Sequence, residues 1–88
     1  MTRVASLVKT SSFHPAQWEG LTDSGEDVYI RYRNHVLTCE LGGPRGDIVA
    51  TAEVDPEAHS HPGDMPTEMM VSTLRTHGIL FSSDAAAA

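Results

Sequence analysis

The run from Phe13 to Leu41 constrains the fold more than any other part of this chain. It divides into three short segments separated by turn residues. The first, Ala16 to Thr22, ends at Asp23-Ser24-Gly25-Glu26, where Asp favours turn initiation and Gly supplies positive φ. The second sets Val28, Ile30 and Tyr32 on one face and Tyr29, Arg31 and Arg33 on the other. This is the period-two alternation of a half-buried strand, in a β-branched and aromatic context. Asn34-His35 then reads as a two-residue turn, since Asn tolerates left-handed geometry. The third segment sets Leu37, Cys39 and Leu41 against Val36, Thr38 and Glu40, and Gly42-Gly43-Pro44-Arg45-Gly46 ends it. A three-strand meander is expected.

A fourth, weaker strand is expected from Asp47 to Val54. There Ile48, Ala50, Ala52 and Val54 alternate with Val49, Thr51 and Glu53. Asp55 to Gly63 is polar and rich in Pro and Gly, and reads as a loop. Asp64 is placed to cap a helix from Pro66 to His77, with Glu68 favourably near its N-terminus. Met70, Leu74 and His77 share a face of that helix, with Met69 and Thr73 beside them, and Gly78 suits the C′ position. Ile79-Leu80-Phe81 is expected to fold back onto the core. Residues 1–12 form an N-terminal arm without clear period, open to being an edge strand or loose. Residues 13–81 form the domain, and 82–88 a flexible tail. The expected fold class is α+β: a small antiparallel meander of three to four strands with one C-terminal helix packed on one face.

Composition limits function. With 88 residues the chain makes one small domain, and a domain of this size keeps a thin stability margin. Twelve acids against six bases give a formal charge of -6, which argues against nucleic-acid binding and favours solubility. The acids are dispersed, so they do not form the runs that a nucleic-acid mimic needs. Cys39 is the single cysteine, which excludes an internal disulfide and fits a reducing, cytoplasmic setting. The apolar runs are too short to span a membrane, and Lys9 interrupts the Val4-Ala5-Ser6-Leu7-Val8 patch too early for a signal peptide.

Three groups of residues are candidates for chemistry. The acidic loop with His59 and His61 offers imidazoles and carboxylates of the kind that bind zinc. His59-Ser60-His61-Pro62 also looks like the opening of the JAMM metalloprotease motif. The Ser and Asp that complete that motif have no counterpart: the next Ser is Ser72, and Arg75 stands where the Asp would follow. Cys39 lies four residues after His35, but Glu40 beside it raises a thiol pKa rather than activating it. No cofactor motif is present: the glycine-rich run 42–46 lacks the Lys and following helix of a phosphate-binding loop. The third group is the strand face Tyr29, Arg31 and Arg33, joined by Trp18 if its face is the open one. Tyr, Trp and Arg dominate protein-binding hot spots.

Gln17-Trp18-Glu19-Gly20, the Asp-Ser-Gly turn and Val28-Tyr29-Ile30-Arg31-Tyr32-Arg33 resemble small uncharacterised proteins of actinobacteria and their phages. The resemblance implies a phage or mobile-element accessory protein, and assigns no functional residue. The expected function is therefore a non-enzymatic, cytoplasmic protein-binding module, without cofactor, that binds or inhibits a host protein. A metal-binding protein or metal-dependent enzyme using His59-Ser60-His61 is the first alternative. A homo-oligomeric structural component, motivated by the thin core and an unpaired edge strand, is the second.

Overall fold

A computed structural model describes residues 2–12, 15–43 and 46–82. It contains strands β1 (Arg3–Ser11), β2 (Ala16–Thr22), β3 (Asp27–Arg33), β4 (Val36–Leu41) and β5 (Asp47–Glu53). Helix α1 (Thr67–Arg75) and a final short strand β6 (Leu80–Phe81) follow. The strands form one sheet in the order β5-β4-β3-β2-β1-β6. The first five strands are a continuous antiparallel meander, and β6 lies parallel to β1. The fold is thus α+β, as expected, but the sheet is mixed and has six strands rather than three or four. It curls into a half-barrel, and α1 touches both edge strands, β5 and β6.

The two extra strands come from the two chain ends. The arm pairs along most of its length with β2 and is a strand, not loose, with β6 outside it at the edge. Its missing period has a physical cause. The pairing shifts between Val4 and Ser6, and again between Lys9 and Ser11. Each bulge inserts one residue and breaks the alternation. The first allows Val4 and Leu7, three positions apart, both to be buried. Gly20 is required opposite: a Cβ there would stand 1.9 Å from the Ser6 carbonyl oxygen.

At the other end, α1 closes with a left-handed Gly78 (φ 89°). The Ile79 and Gly78 amides donate to the Leu74 and Arg75 carbonyls, both at 3.1 Å, the double bond of a Schellman ending. The reversal buries Ile79 and carries Leu80 and Phe81 alongside β1. The Ser82 amide then donates to the Val4 carbonyl. The remainder of the expected tail, 83–88, lies outside the described residues, as do Phe13 and His14 of the expected domain.

Three local expectations are corrected. Strict alternation puts Ile48 on one face with Ala50 and Ala52, but those two are buried and Ile48 is exposed. A register shift opposite Cys39 and Glu40 makes Val49 the extra residue and turns Ile48 outward. Asp64 does not cap the helix: Pro66 is the N-cap, in extended geometry and without a side-chain bond. The Asp64 carboxylate instead stands 4.0 Å from the Lys9 ammonium. His77 does not share the buried face of the helix, which is made by Met70, Val71 and Leu74. The helix ends at Arg75, and His77 falls in the exposed turn beyond it.

Candidate protein-binding face

Alternation along β3 creates two surfaces from one strand. Val28, Ile30 and Tyr32 point to the core, and Asp27, Tyr29, Arg31 and Arg33 point away. On the inner side the sheet meets Met65, α1, Ile79 and Phe81. On the outer side no helix or strand of the described residues is stacked on it. Register places the outer residues in rows. Tyr29 lies between Glu19 on β2 and Glu40 on β4, with Val8 and Ile48 completing the row at its two ends. The next row holds Arg31 between Gln17 and Thr38, and the one after it pairs Arg33 with Val36.

Arg31 and Arg33 are exposed, and Tyr29 is half-buried. Glu19 and Glu40 both stand across the strands from Tyr29, not from the arginines. Neither carboxylate forms an ion pair with the guanidinium groups: among the described residues the one such pair is Lys9 with Asp64. Val8 and Ile48, 61 % and 59 % exposed, add apolar area to the same face. A polar surface with unpaired guanidinium groups, one aromatic ring and flanking apolar residues can recognise a protein surface.

Trp18 does not join it. The tryptophan is only 1 % exposed and lies on the inner face, beside Ile30. Its indole N–H donates to the Thr67 hydroxyl at 2.9 Å, and the Lys9 ammonium sits 5.3 Å from the ring centroid. The ring therefore anchors the start of α1 to the sheet. The residue that the sequence reading omitted is Asp27, which alternation alone puts on the Tyr29 face.

The histidine loop occupies the end of the half-barrel near the β3–β4 turn. Asn34 and His35 have φ of 52° and 62°, the two left-handed residues of a type I′ turn. Such a φ is uncommon for His, and the loop holds it there. The His35 amide donates to the Pro62 carbonyl at 3.0 Å, and its ring Nε2 to the Ser60 carbonyl at 3.3 Å. Its carbonyl accepts from the Val54 amide at 2.8 Å. The Tyr32 hydroxyl donates to the His61 carbonyl at 2.8 Å. Burial raises the pKa of that hydroxyl. His59 stands 5.9 Å from the Tyr32 ring and 5.7 Å from His61, centroid to centroid, and its Nε2 is bonded to the Asp64 carbonyl. Backbone carbonyls of the loop thus tie it to Tyr32 and His35 of the sheet, and the His59 ring bonds within the loop. No three His, Cys, Asp or Glu side chains among the described residues converge to hold a metal ion.

Cys39 lies on the inner face between Ile30 and Ala50 and is fully buried. Burial, and then the neighbouring Glu40 charge, push its thiol up to about 11. The His35 ring is bonded to Ser60, so the two do not form a nucleophile and base. No helix of the described residues is long and apolar enough to cross a membrane.

The fold and the face together define a small α+β half-barrel with an uncovered outer sheet surface. No protein-family model, curated protein or solved structure matches this chain.

Proposed function

We propose that this protein is a small non-enzymatic binding module that engages another protein through the outer face of β2, β3 and β4. Tyr29, Arg31 and Arg33 are its contact residues. One observation carries the reading: two exposed guanidinium groups without ion-pair partners stand beside a half-buried tyrosine on a sheet face that no other element covers. The burial of Cys39 and the use of His35 and His59 to hold a loop weigh against nucleophilic chemistry at those residues. The resemblance to actinobacterial and phage proteins extends the proposal to a cytoplasmic accessory protein that binds or inhibits a host protein.

The test is the double variant R31A/R33A, compared with the wild-type chain for affinity toward a partner isolated on the wild type. Binding should weaken by roughly tenfold or more, as truncation of hot-spot residues does. The melting temperature should stay unchanged. Retained affinity would remove these residues from the binding surface.

A further inference from the structure

The outward residues of β3 are ordered Asp27, Tyr29, Arg31, Arg33. The order is complementary to its own reversal about Ile30. Two copies of the strand laid face to face and antiparallel, centred on Ile30, bring Asp27 of each copy over Arg33 of the other. The same placement brings Tyr29 of each copy over Arg31 of the other. Each contact occurs twice, as a two-fold axis requires. Packed sheets stand about 10 Å apart, a gap that an arginine spans to reach a carboxylate or a ring.

The neighbouring strands agree with this alignment. With the axis across the strands, β2 lies over β2 and β4 over β4 of the second copy. Glu19 then faces Gln17, and Glu40 faces Thr38, since these residues occupy adjacent rows in the register. Carboxylates meet an amide and a hydroxyl. The other face-to-face arrangement, with β3 parallel to β3, sets Asp27 against Asp27, Arg31 against Arg31 and Arg33 against Arg33. Like charges in contact disfavour it. The charge order therefore selects one geometry of the two. Asp27, Arg31 and Arg33 are exposed, and none forms an ion pair within the chain among the described residues.

We propose that the outer sheet face binds a second copy of this chain, forming an isologous dimer with β3 crossing β3 antiparallel at Ile30. The proposal rests on the reading of this face as a protein-binding surface and names its partner. The curl of the sheet confines contact to β2, β3 and β4. The dimer is accordingly a weak one, toward the small end of specific interfaces, which bury roughly 800 Å² per partner.

Sedimentation equilibrium of the full chain between about 10 μM and about 1 mM tests it, a range that brackets weak association. The wild-type mass should rise toward twice that of the chain. Asp27→Arg alone and Arg33→Asp alone each set like charges in contact, and each should weaken the dimer by roughly tenfold. The combined D27R/R33D chain restores both contacts and should return to near wild-type association. Circular dichroism checks folding. If a reversal loses the native spectrum, Tyr29→Ser and Arg31→Glu replace it, with the same loss expected.

A mass that stays at that of one chain throughout overturns the proposal. So does a dimer indifferent to the reversals, which would point to edge pairing through β5, and so does a double swap that stays as weak as its singles. A monomeric chain whose R31A/R33A variant still loses another protein partner would remove self-association but leave the face as the binding surface. A dimer unaffected by any of these changes, with partner binding also intact, would remove both.

Discussion

Tyr29 and Tyr32 lie on one strand, three residues apart, and do opposite things. Tyr32 is wholly buried, and its hydroxyl donates to the His61 carbonyl, so it joins the core to a loop. Tyr29 is half-exposed between two glutamates and joins nothing. The same contrast separates the two faces of the sheet. The large side chains of the inner face share one buried cluster with the helix, Met65 and the returning β6. The outer face carries charge and isolated apolar groups that the chain itself leaves unmatched. The inner face is therefore where stability resides, and the outer face is where change is tolerated and recognition is possible. In a domain this small, single losses on the inner face consume much of the total stability.

Truncating Trp18 to Ala should have the largest effect. It removes the bulkiest buried ring and the bond to Thr67, for a cost of about 3–5 kcal/mol in urea unfolding. A loss below about 1 kcal/mol would place the ring outside the core.

Alkaline pH should act next, through Cys39. The unfolded thiol ionises near its ordinary 9.0, while the folded thiol keeps its proton to about 11. Between those values the unfolded state binds fewer protons, so stability must fall as pH rises. The contribution is fully present below pH 9, and about 2–3 kcal/mol is lost by pH 11. Cys39→Ala should flatten that part of the stability profile. The same burial predicts slow labelling of the native thiol by a thiol reagent at pH 8 and fast labelling in urea.

Tyr32→Phe tests the junction between the faces and the loop at a cost of about 1 kcal/mol. It should raise hydrogen exchange at the His35 amide, which the loop protects, before it affects the rest of the sheet. R31A/R33A should be the mildest, changing stability by less than about 0.5 kcal/mol while lowering partner affinity. A large loss of stability in that variant would show that the outer face is structural, and would erase the contrast between the faces.

The sequence made β2, β3 and β4 legible because β3 and β4 alternate without interruption and all three meet through local turns. The outward set Tyr29, Arg31 and Arg33 follows directly from that alternation, and a two-residue turn at Asn34-His35 follows from the tolerance of Asn for left-handed geometry. Trp18 was not placed, because β2 sets Gly20 and Thr22 inward and Leu21 outward, which blurs its polarity. The outward turn of Ile48 is hidden from the sequence for a related reason. A bulge changes the side a residue faces without leaving a local signature, since the pairing partner decides it.

By itself, the sequence determined the central meander, its two faces, the helix and its glycine stop. These depend on interactions within a few residues: alternation, turn geometry and helix ending. Tertiary structure decided what depends on distant partners. It placed the arm as β1 through two bulges against β2, ran β6 parallel to β1, turned Trp18 toward Thr67, and spent the histidine loop on holding His35. Those contacts join residues far apart in the chain, and their register is set by which apolar groups can be buried together.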